Sequence, residues 1–121
     1  MVNASGFLGE QATADYLKRN GCSVDARNYR CRFGEIDLIA RQGEFLIFVE
    51  VKTREQDSMA NPLEAVTPAK QRKIIRTALL YLQTHPTVLQ PRFDVSAVTA
   101  RNGVPVSIQY LTDAFSCSGR F

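Results

Sequence analysis

The chain has 121 residues, a formal net charge of +3 and 45% hydrophobic residues, enough for one domain with a real core and too few for a second. No apolar run approaches the roughly 20 residues that span a bilayer, and no basic segment followed by an apolar stretch opens the chain, so neither a membrane span nor a secretory leader is expected. Cys22, Cys31 and Cys117 are odd in number and not spaced as zinc ligands, and they read as reduced thiols of a cytoplasmic protein.

Residues 5–20 carry a helical stripe of Leu8, Ala12, Tyr16 and Leu17, with Ser5 as a cap and Gly21 as a terminator. Residues 23–32 read as a first strand. Residues 35–41 and 44–52, rich in β-branched and aromatic side chains, read as a hairpin around Gln42-Gly43. Residues 53–66 are polar and contain Asn61-Pro62, which suggests a surface loop. Thr67-Pro68 then supplies an N-cap and a first-turn proline for a second helix, which His85-Pro86 ends after about Thr84. Residues 92–100 and 104–111 alternate as two more strands, joined near Asn102-Gly103. The order αβββαββ predicts an α/β fold, a mixed central sheet flanked by helices.

Four residues of the hairpin stand out. Glu35, Asp37, Glu50 and Lys52 interrupt stretches that otherwise read as buried strand, and a buried charge is costly unless it is paired or bound to a metal. With Gln42-Gly43 as a two-residue loop, Arg41 faces Glu44, Ile39 faces Leu46, Asp37 faces Phe48 and Glu35 faces Glu50. Opposed residues share a face, as do alternate residues along a strand. All four then project from one side, with Asp37 and Glu50 diagonal neighbours roughly 7–8 Å apart, a span that one cation can bridge. A slip of one residue would separate them. The plain competitor is an ion pair between Asp37 and Lys52, with Glu50 exposed.

The spacing Asp37…Glu50-x-Lys52 resembles the PD-(D/E)xK nuclease signature, with Ile36 where that motif has proline. Gly9-Glu10, Asn28-Tyr29-Arg30, Gly34-Glu35-Ile36-Asp37-Leu38-Ile39, Phe48-Val49-Glu50-Val51-Lys52-Thr53-Arg54 and Arg92-Phe93-Asp94-Val95 occur in that order. Together they resemble the YraN family of predicted bacterial endonucleases, relatives of the archaeal Holliday-junction resolvases. The likeness runs from about Gly9 to about Val98. It implies a restriction-endonuclease-like fold and hydrolysis of DNA phosphodiesters with Mg2+ or Mn2+, in branched or damaged DNA. It further implies Asp37 and Glu50 as metal ligands, the Val51 carbonyl as a third, and Lys52 beside the attacking water. Glu10 would complete the site or hold a second metal; the competing reading is a solvated acid favoured by the helix dipole. Related resolvases act as symmetric dimers, so a homodimer is among the implied states.

These residue types suit the chemistry. A phosphodiester is anionic and its leaving alkoxide is poor, and a hard cation answers both difficulties. Magnesium takes oxygen ligands and keeps several waters, so one or two carboxylates suffice. Glu35 lies either beside the site or at the strand's surface end, and Asp94 is expected to pair with Arg92 or a helix terminus. On the second helix Ile74, Ile75, Ala78, Leu79 and Leu82 form an apolar stripe. Lys70, Arg72, Lys73 and Arg76 lie opposite and on its flanks, either as a solvated face or as phosphate contacts. Arg54 follows Lys52 by parity, toward the scissile phosphate. His85 reads as a helix-end residue, which leaves no histidine for zinc or nucleophilic chemistry.

Three function classes remain in view. The chain is a divalent-metal endonuclease acting on DNA, a nucleic-acid-binding module that keeps the fold without cleavage, or a structural domain whose charged hairpin is an ionic network. The last is disfavoured, since apolar replacement of such a network is often neutral or stabilising.

Overall fold

The computed structural model describes residues 4–59 and 61–116, so Cys117 lies outside the described residues. The elements follow the expected order: α1 (Ala4–Arg19), β1 (Ser23–Cys31), β2 (Gly34–Gln42), β3 (Phe45–Glu55), α2 (Pro68–Thr84), β4 (Gln90–Arg101) and β5 (Val104–Phe115). Helix α1 already begins at Ala4, which leaves Ser5 inside it and not at its cap. The stretch expected as a loop after residue 52 instead continues β3 to Glu55 and later forms a 3-10 turn over Pro62–Ala65. At α2 the cap is as expected, with Thr67 Oγ1 accepting the Lys70 N–H at 3.3 Å and Pro68 in the first turn. Asn102 and Gly103, at φ 53° and 82°, make the β4–β5 turn with the positive φ pair that a type I′ hairpin requires.

The sheet order is β1-β2-β3-β4-β5. Neighbours are antiparallel except β3 and β4, which run parallel. A parallel pair needs a crossover, and α2 supplies it. The helices cover opposite faces. Leu38, Ala40, Ile47 and Val49 pack with Ala14 and Leu17 of α1, while Ile39, Leu46, Phe48, Phe93 and Val95 pack with Ile74, Ile75, Ala78 and Tyr81 of α2. On α2 the buried stripe is rotated from the expected one: Thr77 and Tyr81 turn inward and Leu79 is 37% exposed. The aromatic core accounts for this. Tyr81 meets Tyr29 and Phe48 edge-on at 5.1 and 6.0 Å between centroids, contacts that favour a ring over an aliphatic side chain there.

Asp94 is 0% exposed and fully satisfied. Arg92 donates Nε to Oδ1 at 3.0 Å and a terminal nitrogen to Oδ2 at 2.8 Å. The Tyr110 hydroxyl donates at 2.6 Å and the Asp113 N–H at 2.9 Å. The pairing with Arg92 is as expected, and through Tyr110 and Asp113 the same carboxylate also ties β4 to β5. Asp94→Ala should cost about 3–5 kcal/mol, because it strands the guanidinium of a nearly buried ion pair. Denaturant unfolding against the parent protein measures it, and a loss under about 1 kcal/mol would contradict the role.

Candidate metal and nucleic-acid site

The site grows out of the β2–β3 hairpin. Its loop is Gly43-Glu44, with Gln42 facing Phe45, because Gly43 takes a φ of 58°, the positive value wanted at the first central position of a II′ turn. The ladder runs Arg41↔Leu46, Ile39↔Phe48 and Leu38↔Val49, two residues from the register that a Gln42-Gly43 loop predicts. An even shift keeps every residue on its face. Asp37, one step beyond the last ladder pair, comes abreast of Glu50 and not of Phe48. The two acids are direct neighbours.

There the ladder changes character. Asp37 Oδ2 accepts the backbone N–H of Val51 at 2.7 Å, so a side chain takes a place that a strand carbonyl would fill. From Glu50 to Glu55, β3 pairs only with β4. Alternation also breaks at this point, since Ile36 packs in the α2-side core and Leu38 in the α1-side core, although residues two apart on a regular strand share a face. Asn28 faces Asp37 from β1 with a left-handed backbone, φ 51°, which asparagine tolerates better than most residues. The Asp37 carboxyl is thus directed along the sheet toward β3, into the opening between strands. Asp37 and Glu50 meet at this opening.

Glu10 reaches the opening from α1. A Cβ on Gly9 would lie 2.2 Å from Thr53 Oγ1, so glycine is what lets the helix sit this close to β3. The first turn of α1 holds no acid, and the helix-dipole reading of Glu10 therefore does not apply. Burial raises the Glu10 carboxyl above its ordinary pKa, and the charges of Asp37 and Glu35 add to this. A hydrogen bond from Asn28 and the charge of Arg27 pull the other way. Asn28 is the residue that reading the sequence missed as part of the site. Its signal was present, an asparagine in a strand-like run where that residue type is depleted.

Asp37 is 7% exposed. Burial, then a hydrogen bond with Glu50, then the charge of Glu50 raise its pKa from 3.8 to about 8, against the lowering effect of the Val51 N–H. Asp37 therefore keeps its proton well above the ordinary carboxylate range. Glu35 is engaged at the surface by a salt bridge to Arg30, so it borders the opening without entering it. Lys52 is half-buried and makes no ion pair among the described residues, whose salt bridges are Arg30–Glu35, Arg41–Asp25 and Arg92–Asp94. The structural pair between Asp37 and Lys52 is not formed. By alternation along β3, Lys52 shares the face of Glu50, Leu46 and Phe48, which is the α2 side.

The basic residues fall into two groups. Arg54 is half-buried and donates to the Ser58 carbonyl at 3.0 Å, so it braces the segment that follows β3. Lys70, Arg72, Lys73 and Arg76 are exposed on α2 and take part in no ion pair among the described residues. Lys73 passes close to Gly34 at the head of β2, where a glycine Cβ would lie 3.7 Å from the Lys73 Cβ. His85 closes α2, its ring stacked on Tyr81 at 4.0 Å. Among the described residues no three His, Cys, Asp or Glu side chains converge closely enough to hold a metal ion among themselves. A cation at the opening would rely on two carboxylates, the backbone and water, the usual manner for magnesium. No helix is long and apolar enough to cross a membrane among the described residues.

Residues 9–98 match the model of an uncharacterised protein family, UPF0102. A UPF0102 protein of Chloroflexus aurantiacus is 46% identical over 111 residues, covering 90% of each chain. One from Syntrophus aciditrophicus is 46% identical over 112 residues, covering 92% of this chain and 87% of its own. A third, from Syntrophotalea carbinolica, is 46% identical over 115 residues, covering 94% and 93%. The chain belongs to the UPF0102 family. The match takes in α1 from Gly9, the whole hairpin, α2 and most of β4.

Two outcomes follow from this geometry. Because the Asp37 pKa is raised from 3.8 to about 8, the folded chain holds a proton that the unfolded chain releases within that window. In the presence of a chelator, stability should therefore fall as pH rises from about 4 to about 8. Asp37→Asn should flatten that dependence, and thermal midpoints across the range measure it; parallel curves for the two proteins would contradict the raised Asp37 pKa. Separately, Gly9→Ala should destabilise by about 1–3 kcal/mol through overpacking. Adding Thr53→Ala should recover most of the loss, and simple additivity of the two changes would show that the contact is not responsible.

Proposed function

We propose that the protein is a divalent-metal-dependent endonuclease that hydrolyses DNA phosphodiester bonds, with Mg2+ or Mn2+ as the metal and branched or damaged DNA as the substrate class. One observation carries the reading. A nearly buried aspartate lies against a second acid with no basic side chain bonded to either among the described residues. Such an arrangement is costly for a structural element and suits a cation that is bound in use.

The donor set fits a hard cation. Asp37 and Glu50 would supply carboxylate oxygens, with Glu10 reaching the same opening from α1 to act through a water. A residue in extended backbone directs its N–H and C=O to the same neighbour. The Val51 carbonyl therefore lies on the same edge of β3 as the N–H that meets Asp37. When bound there, a divalent ion polarises a phosphoryl oxygen and lowers the pKa of its water. The remaining work belongs to the chain. Lys52, in no ion pair among the described residues, can lie against the scissile phosphate and orient the attacking water. A cation held there would compete with the proton on Asp37, which would couple its binding to pH. Cations on α2 can contact phosphates without reading sequence.

Purified protein should cleave branched or flapped DNA with magnesium or manganese. Asp37→Ala should abolish cleavage and metal binding while circular dichroism shows an intact fold. Lys52→Ala should lower the rate by about 10²–10³-fold, the typical loss of one charge-stabilising group, with metal affinity retained. Tight DNA binding without turnover on any substrate would instead favour a nucleic-acid-binding module built on the same fold.

A further inference from the structure

A second feature lies on the α2 side, at the β1–β2 turn. Arg32 and Phe33 form that turn, between Cys31 and Gly34, which face each other. With α2 the turn walls a groove of about 400 Å³, lined by Arg32, Phe33, Arg76, Leu79, Leu80 and Gln83. The groove holds two guanidinium groups and no acid. Neither Arg32 nor Arg76 takes part in a salt bridge among the described residues. The Arg32 guanidinium carbon lies 4.8 Å from the centroid of the Phe33 ring, so a planar cation and an aromatic ring form one unit at the rim.

The turn is also fixed in place. Phe33 N–H donates to Cys31 Sγ at 3.3 Å, and that sulfur contacts Thr77 Oγ1 of α2 at 3.7 Å. Gly34 lies under Lys73 and Thr77, which leaves no side chain between turn and helix. The groove is therefore pre-built, a condition that lowers the ordering cost of binding. Its chemistry is specific in kind. Isolated cations suit any phosphate, but an arginine against an aromatic ring beside a second arginine suits a base next to its phosphate. An acidic peptide would satisfy the charges and leave Phe33 and Leu79 without a matching partner.

We infer that the groove between the β1–β2 turn and α2 is a binding site for an unpaired nucleotide of the substrate, its base stacked on the Arg32–Phe33 pair and its phosphate on Arg76. This deepens the nuclease reading and rests on it for the identity of the substrate. The four residue steps from Phe33 to Asp37 span roughly 13 Å of strand, about four base steps at 3.4 Å each. The site would thus select nucleic acid with a single-stranded segment within a few nucleotides of the cleaved bond.

Fluorescence anisotropy in EDTA, with a blunt DNA duplex and the same duplex carrying a single-stranded tail, tests this without any turnover. The parent protein should prefer the tailed probe. Phe33→Ala and Arg32→Ala should each weaken binding of the tail by about tenfold, in line with loss of one stacked base, and leave the blunt duplex within about twofold. Phe33→Tyr should retain the preference. Arg76→Ala should weaken the tailed probe and reduce its salt dependence by about one phosphate contact. Arg32 and Arg76 are exposed, so their variants stay informative even if Phe33→Ala disturbs folding. Equal losses on both probes for Arg32→Ala and Phe33→Ala, or no loss in the Arg32→Ala/Arg76→Ala protein, would overturn the inference. The two readings fail separately. Tail-selective binding without metal-dependent cleavage would sink the nuclease and keep the groove, whereas cleavage with groove variants that bind like the parent would do the reverse.

Discussion

The hydrogen bond from the Val51 N–H to the Asp37 carboxylate is the contact on which the candidate site depends. It ends the β2–β3 ladder with a side chain, and so creates an opening in the sheet without leaving a strand N–H unsatisfied. A buried donor without a partner would cost about 1–3 kcal/mol. Here the same bond that avoids this cost also holds a carboxyl in the opening. Around that point the chain supplies Glu50 from β3, Asn28 from β1 and Glu10 from α1. Gly9 permits the close helix approach that brings Glu10 within reach.

Two buried aspartates show what is unusual about the opening. Asp94 accepts from a guanidinium, a tyrosine hydroxyl and a backbone N–H, and its burial is fully compensated. Asp37 has one backbone donor and a second acid beside it. The first arrangement serves the fold, joining β4 to β5. The second works against stability at neutral pH in the absence of a cation, the pattern expected where a site is organised for binding more than for packing. Lys52 sharpens the contrast, because it sits on the adjoining stretch of β3 and yet is not recruited to neutralise the pair.

Much of this was legible in the residues. Hydrophobic periodicity, the Thr67-Pro68 cap and the Asn102-Gly103 turn located the elements, and Asp94 with Arg92 announced its own pair. The acids flagged on the hairpin, Asp37 and Glu50, are indeed neighbours. What the sequence withheld was decided by tertiary contacts. The hairpin loop sits one residue later than Gln42-Gly43 because Gly43, and not Gln42, takes the positive φ. Period-two counting could not foresee that alternation breaks at Asp37, since the break comes from the pairing with Val51 and from the backbone of Asn28. On α2, amphipathic counting chose Leu79, which is exposed, as well as Leu82, which does pack on the core, while the aromatic packing of Tyr29 and Phe48 drew Tyr81 inward. The groove at Arg32 and Phe33 exists only once the turn is laid against α2.

The central claim is that the opened ladder is a cation site, and a crystal structure of the protein soaked in manganese tests it most directly. The account predicts an anomalous peak between Asp37 and Glu50, with the Val51 carbonyl among its ligands and the Glu10 carboxylate near it directly or through water. The contrary result is an acid pair that stays protonated in manganese, with no anomalous peak and the Lys52 ammonium swung in to neutralise it.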